Sequence, residues 1–205
     1  MLWQKFAIDI LSDIGRYKNS GELLDIGCGI GTLVNEAIKK GYAASGLEIN
    51  PGGAKAGREK YKITIFTIPI EQLLSSKKRW DIIVLNHVLE HIAQPVQFLS
   101  DCHKLLRNDG ILYIGVPSYT GWTAIAEGKA WYGYSVDQHI WQWTHKTIRE
   151  VVNMAGLSIV NAHSKRNNHY HFGGVRGKIK RLLYRFFEII GKSDQIILIA
   201  KSINK

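Results

Sequence analysis

Cysteine is scarce: Cys28 and Cys102 are the only two in 205 residues, too few for a disulfide framework, so the expected setting is a reducing cytoplasm. Long apolar runs are missing as well. None approaches the roughly 18 residues that a membrane-spanning helix needs. Trp3, Phe6, Ala7, Ile10, Leu11 and Ile14 recur at helical spacing, but Lys5, Asp9 and Asp13 interrupt them, which predicts an amphipathic N-terminal helix over 1–18 and not a signal peptide. Internal repeats and low-complexity tracts are absent. Acidic residues are few, 17 against 27 Lys and Arg, and the net charge of +10 raises the question of a nucleic-acid partner. The placement of the charge argues against one. Residues 165–192 hold eight Lys/Arg and one acid, Glu188, a local balance of +7 that leaves +3 for everything else. That is a basic segment on a nearly balanced domain, not a basic groove.

What is present is the composition of a single globular domain over 1–205, with 45% hydrophobic and 21% charged residues. Short apolar runs, "ELLDIG", "YAASGLEI", "ITIFTI", "DIIVLN" and "GILYIGV", alternate with helical patterns. Four of the five are nearly continuous in hydrophobicity, as strands buried on both faces of a parallel sheet are. Helices are expected over Thr32–Lys40, from Pro95 with a stripe of Phe98, Leu99, Cys102, Leu105 and Leu106, and over Lys146–Ala155. "LSIVNA" and "QIILIA" read as the last strands. The fold class is α/β, a doubly wound sheet.

Between the first strand and the first of these helices, "LLDIGCGIGTL" places Gly27, Gly29 and Gly31. Glycines belong where a turn is tight and backbone must touch a ligand. The spacing is G-x-G-x-G, and Thr32 stands where the dinucleotide fingerprint G-x-G-x-x-G has its third glycine, which opposes a nicotinamide oxidoreductase. Glu48, ending the second strand in "GLEINP", is placed to accept both hydroxyls of a ribose. Asp25, just before the loop, suits an ammonium group and would repel a pyrophosphate.

With these segments in view, the chain resembles class I S-adenosylmethionine-dependent methyltransferases of the small-molecule type, similar to ubiquinone-biosynthesis and sugar methyltransferases. The stretches that carry the resemblance are "LLDIGCGIGTL", "GLEINP", "WDIIVLNHVLEHIAQPVQFLSDCHKLLRNDGILYIGVP" and "HIWQWTHKTIREVVNMAGLSIV". It implies a mostly parallel seven-stranded Rossmann-like sheet with a reversed last strand, "QIILIA". It implies S-adenosylmethionine as the cofactor, with Asp25 and the backbone of Gly27, Cys28 and Gly29 around its methionine end and Gly31 also among the cofactor-binding residues. Glu48 would hold the ribose, Ile49 would face the adenine, and Asn86 would lie near the methionine. Relatives carry an Asp after the third strand for the adenine amino group; "IPIEQL" offers Pro69 or Ile70, so a backbone contact at Ile70 is the expected substitute.

"NHVLEH", Asn86 to His91, contains H-x-x-E-H, a zinc-peptidase pattern. That pattern belongs inside a helix, whereas here an apolar strand precedes it and Pro95 follows, so it reads as the mouth of a site at a strand's carboxyl end. Some relatives have E-x-x-E-H at this place and bind a divalent ion; this chain keeps Glu90 and His91 but has His87 for the first glutamate, and no metal is assigned. His139, in an H-x-x-x-aromatic-Thr setting shared with relatives, is the first candidate for the catalytic base, and His91 the second. A histidine held by backbone is the alternative role for His139.

Residues 118–143 form an aromatic segment, Tyr119, Trp122, Trp131, Tyr132, Tyr134, Trp141 and Trp143, read either as lid and acceptor wall or as core. Residues 165–192 form a basic amphipathic insertion. In it Ile179, Leu182, Leu183, Phe186, Phe187 and Ile190 make an apolar face beside Arg176, Lys178, Lys180, Arg181 and Arg185, the pattern either of a helix packed on the sheet between the last two strands with its charges solvated or of peripheral contact with an anionic membrane through 176–190. The expected function is O-methylation of a small or lipid-linked acceptor (a sugar or glycan, or a quinone precursor), without nucleic acid, in the cytoplasm or at the inner membrane face. A metal-assisted RNA 2′-O-methyltransferase and a non-catalytic cofactor-binding scaffold are the alternatives.

Overall fold

The structure, a computed structural model, describes residues 2–135, 137–166 and 185–202. Helix α1 (Leu2–Gly15) precedes the alternation β1 (Glu22–Ile26), α2 (Thr32–Lys39), β2 (Ala43–Leu47), α3 (Pro51–Tyr61), β3 (Ile65–Phe66), α4 (Ile70–Leu74), β4 (Trp80–Asn86), α5 (Pro95–Leu105) and β5 (Leu106–Pro117). Then come α6 (Trp122–Glu127), α7 (His145–Met154), β6 (Leu157–Lys165) and β7 (Gln195–Ser202). The seven strands form one sheet in the order β3-β2-β1-β4-β5-β7-β6. All pairings are parallel except those of β7, which runs antiparallel to both β5 and β6.

The order turns back on itself between β1 and β4, and at such a switch point ligands bind outside the carboxyl ends of the strands. Because β7 is reversed, its first residue, Gln195, comes to that same edge, paired with Pro117 at the end of β5.

Each buried strand feeds two cores because successive side chains point to opposite faces. Leu24, Ile26, Ile83, Leu85, Leu112, Ile114 and Leu198 pack on the α5 and α7 side with Leu99, Cys102 and Ile148. Leu23, Ile82, Val84, Ile111, Tyr113 and Ile197 pack on the other side against Ala7, Ile10, Leu11 and Ile14 of α1 and Leu33 and Ala37 of α2.

The departures from the sequence reading are local. β3 is two residues long, not six, because Ile65–Phe66 alone pairs with Gly46–Leu47. β5 begins at Leu106, directly where α5 stops, and the stripe residue Leu106 is already strand. α7 starts at His145 because Thr144 caps it through a reciprocal pair with Thr147. Of the basic amphipathic segment, 167–184 lies outside the described residues, and with it Arg176, Lys178, Ile179, Lys180, Arg181, Leu182 and Leu183. The described part, 185–189, is one helical turn. In it Phe187 stacks on Trp122, ring centroids 5.0 Å apart, while Phe186, Ile189 and Ile190 are exposed. Among the described residues no helix is long and apolar enough to cross a membrane.

Candidate active site

The glycine loop opens the site. Gly27, Gly29 and Gly31 all adopt positive φ, 72°, 54° and 73°. Two of the three are also packing glycines: a Cβ at Gly27 would stand 2.6 Å from Val88 Cγ2, and one at Gly31 2.3 Å from Ile63 Cδ1. At Gly29 a Cβ would meet nothing within 4 Å, so the bare backbone there faces open space at the loop's tip.

The loop is clamped from β2. Glu48 Oε2 accepts from the Gly29 amide at 2.8 Å, and Oε1 accepts from the Asn50 amide at 2.8 Å. Asn50 in turn caps α3 by accepting from Gly52 and Gly53, which accounts for the whole of "GLEINP": strand end, acid, cap and N1 proline.

Behind the loop sits a cavity of about 690 Å³ whose walls include Asp25, Gly27, Cys28, Gly29, Asn86, Glu90, His91 and His139. Asp25 is buried, and that burial, with the Glu48 charge adding to it, pushes its carboxyl up to about 8. Cys28 lies over the strand at Gly46, where a Cβ would be 2.4 Å from its sulfur; burial, then the charges of Asp25 and Glu48, hold its thiol far above the ordinary range. It is a packing residue, not a nucleophile. Asn86, the last residue of β4, also lines this space; its Oδ1 is buried against β5, where a Cβ at Gly115 would stand 2.6 Å from it, and has no partner.

"NHVLEH" is not a helix. His87 sits in the left-handed region, φ 55°, and Leu89–His91 is a short 3₁₀ turn. The peptidase pattern therefore lacks the helical i, i+4 face its ligands require. Each histidine is held differently. His91 Nδ1 lies 2.7 Å from the Gln138 carbonyl and His139 Nδ1 2.9 Å from the Gly133 carbonyl. A carbonyl only accepts, so both rings carry their proton on Nδ1 and keep the lone pair on Nε2. The two rings meet edge to face, centroids 4.9 Å apart. One oxygen of the fully buried Glu90 and one ring nitrogen of each of His91 and His139 lie within 4.8 Å of one another.

The cavity thus gathers Asp25, Gly27, Cys28, Gly29, Asn86, His91 and His139. Gly31, Glu48, Ile49 and Ile70 lie outside its lining. Ile49 is 79% exposed at the loop's outer edge, and Ile70 is buried as the first residue of α4, its side chain in the core with Leu73. The aromatic segment divides: Trp131 and Trp143 are core, while Tyr132, Ser135, Gln138 and His139 line the cavity.

Two contributors went unread in the sequence. Trp3, Phe6, Ala7 and Ile10 of α1 form one wall, and their helical spacing was the available signal. Gln195 reaches His87 from the reversed strand, and nothing in the sequence signals that contact.

The chain matches the family described as "Methyltransferase domain" over residues 3–162, and it belongs to that family. Its fold is that of the class I S-adenosylmethionine-dependent methyltransferases. A SAM-dependent methyltransferase from Archaeoglobus fulgidus superposes with a TM-score of 0.69 at 18% identity, over 96% of this chain and 93% of that one. Magnesium protoporphyrin IX methyltransferase from Synechocystis PCC 6803, with bound SAH, gives 0.68 at 17% identity, over 98% and 84%. In sequence, the ubiquinone biosynthesis O-methyltransferase of Caulobacter vibrioides is 32% identical over 104 residues, 48% of this chain and 41% of that protein. The one from Pelagibacter ubique is 30% identical over 103 residues, 48% and 43%. The matched stretch spans less than half the length of these relatives.

Proposed function

We propose that this chain transfers the methyl group of S-adenosylmethionine to an oxygen of a small or lipid-linked acceptor, a sugar or glycan or a quinone precursor. The observation that carries the reading is a single cavity lined both by Asp25, the glycine loop and Asn86 and by His91 and His139. The first group fits an amino-acid-bearing nucleoside. The buried Asp25 carboxyl is an acceptor for an ammonium, the open side of Gly29 lets backbone approach, and Glu48 stands ready for the ribose.

When bound, that cofactor supplies a methyl group already made electrophilic by its sulfonium. What remains for the protein is alignment, worth up to ~7–11 kcal/mol, and removal of the acceptor's proton. His139 or His91, each with Nε2 as the free base, takes the proton of the acceptor hydroxyl. The names of the relatives from Caulobacter and Pelagibacter favour oxygen as the methylated atom and a quinone precursor among the acceptors. Turnover of methyl-labelled S-adenosylmethionine against sugar nucleotides, quinone precursors, lipid-linked glycans and RNA tests the reading. Binding without turnover on any of them would make the chain a scaffold.

A second reading has one observation in its favour, the approach of Glu90, His91 and His139. Those three residues would hold a divalent cation, which would polarise the acceptor oxygen. We favour the metal-free reading, because His87, standing where metal-binding relatives have a glutamate, is turned away onto Glu90 and Gln195. The acceptor's membrane location is a further part of the proposal: exposed Phe186, Ile189 and Ile190 adjoin the most basic stretch of the sequence, which supports peripheral contact with anionic lipid.

A further inference from the structure

His87 has both ring nitrogens engaged. Its backbone is fixed in the left-handed region, φ 55°, with its amide donating to the Gly115 carbonyl at 2.9 Å. From that position Nδ1 lies 3.2 Å from Glu90 Oε1, and Nε2 is in hydrogen-bond contact with the side-chain amide of Gln195. Gln195 is 1% exposed and Glu90 fully buried, so both partners of the half-buried His87 ring are shielded from solvent.

The direction of the chain follows from its end. The side-chain amide nitrogen of Gln195 only donates, so His87 Nε2 accepts with its lone pair; a neutral His87 then carries its proton on Nδ1, and Glu90 Oε1 accepts it. The order of donation is Gln195 to His87 to Glu90, with the bond dipoles aligned so that each strengthens the next. Only one oxygen of Glu90 is consumed. Oε2 is buried and without a partner, in a residue that lines the cavity beside His91.

We propose that Gln195 and His87 are positioning residues. Together they anchor one oxygen of Glu90 so that the carboxylate presents its other oxygen at the acceptor end of the cavity, beside His91 and His139. The proposal rests on the reading of that end as the place where the acceptor loses its proton. It removes His87 from the candidate bases and ligands, since neither ring nitrogen is free, and it gives the reversed strand a part in the chemistry: only a strand running against its neighbours delivers its first residue to this edge.

Long-range proton–nitrogen NMR on the full chain tests the relay without any acceptor. The expected spectrum shows His87 protonated at Nδ1 and bare at Nε2. In Gln195→Met, which keeps length and loses the donor, His87 should shift toward the other tautomer and the ring signals of His91 and His139 should move. Calorimetric affinity for S-adenosylhomocysteine should stay within about twofold. With an acceptor from the labelled-methyl screen, kcat should fall about tenfold with little change in KM. His87→Asn, whose side chain tolerates positive φ, should lose kcat to a similar extent and covers the case in which Gln195→Met does not fold. An imidazolium or Nε2-protonated His87 in the unaltered chain would overturn the relay, as would unchanged kcat in both variants. The base reading fails separately: if His91→Ala and His139→Ala keep full turnover while the Nδ1-protonated His87 is observed, the relay stands and the proton goes elsewhere.

Discussion

Glu48 Oε2 and the Gly29 amide are joined by a 2.8 Å hydrogen bond that ties the end of β2 to the tip of the glycine loop. The carboxylate we propose for the ribose is therefore also the clamp that shapes the loop. Its two oxygens each accept one backbone N–H, and a carboxylate has lone pairs to spare for two hydroxyl donors. Charge-assisted hydrogen bonds are worth about 1.5–3 kcal/mol each. Glu48→Ala should weaken S-adenosylhomocysteine binding at least about tenfold by calorimetry, and Glu48→Gln should weaken it less, because its one carbonyl still accepts. Equal affinity in all three proteins, or a preference for NAD, would remove the cofactor assignment.

Asp25 gives the cofactor site a pH dependence. Burial first, and the Glu48 charge second, raise its carboxyl to about 8, so it is mostly protonated at neutral pH. A raised acid stabilises the fold below its unfolded value near 4 and loses that contribution as pH rises through about 8. The melting temperature of the unliganded protein should thus fall between pH 5 and 8, and Asp25→Asn should flatten that slope. An ammonium arriving beside Asp25 favours the ionised form, so binding S-adenosylhomocysteine at pH 7 should release a proton. Calorimetry in buffers of different ionisation enthalpy reads it; zero release would place the ammonium elsewhere.

His139 and His91 are distinguished by what their removal leaves behind. The Gly133 carbonyl that holds His139 also accepts from Gln142 Nε2 at 3.1 Å, so His139→Ala leaves it a partner and the loop in place. Loss of a general base costs roughly 10²–10⁴ in turnover. A fall of that size in His139→Ala, with S-adenosylhomocysteine affinity unchanged, marks it as the base. The same pattern in His91→Ala alone transfers the role.

The sheet, its reversed strand and the glycine loop with its Glu48 clamp were legible because each depends on local pattern: continuous apolar runs, glycines at fixed spacing, an acid at a strand's end. That Glu90 and His91 stand just past the carboxyl end of β4, where both line the cavity, was legible because a strand precedes them. The burial of the Ile70 side chain was not legible: α4 draws it into the core, and neighbours distant in the sequence decide that. Gln195 could not be read either, since it lies 108 positions from His87 and meets it only through the antiparallel register of β7 with β5.

Metal removal separates the two chemical readings. With His87 engaged by Glu90 and Gln195, the cluster keeps three donor residues, Glu90, His91 and His139. The expected result is turnover that survives EDTA. Activity abolished by chelation and restored by a divalent ion would favour the metal-assisted reading, and with it the RNA acceptor in the screen.

The last prediction concerns the lipid surface. Phe187 is half-buried and turned to the domain, stacked on Trp122 with the rings 5° from parallel, and Glu188 accepts from the Arg166 amide at 2.8 Å. These contacts pin one side of the 185–189 turn to the domain. The other side keeps Phe186 and Ile189 outward, Ile189 83% exposed, and the sequence beside them carries Arg176, Lys178, Lys180, Arg181 and Arg185. Outward apolar side chains next to clustered cations fit the boundary of an anionic bilayer, where each basic residue contributes about 1 kcal/mol at low salt. The protein should co-sediment with phosphatidylglycerol-containing vesicles and not with phosphatidylcholine alone, and salt should release it as screening shortens the reach of the charges. Ile189→Glu should weaken sedimentation without changing the melting temperature, since an exposed side chain carries little folding energy. Phe187→Ala, in contrast, should lower the melting temperature by breaking the Trp122 stack. If anionic vesicles at low salt leave the protein in the supernatant, the exposed turn is not a membrane contact and the acceptor is to be sought among soluble sugars and quinone precursors.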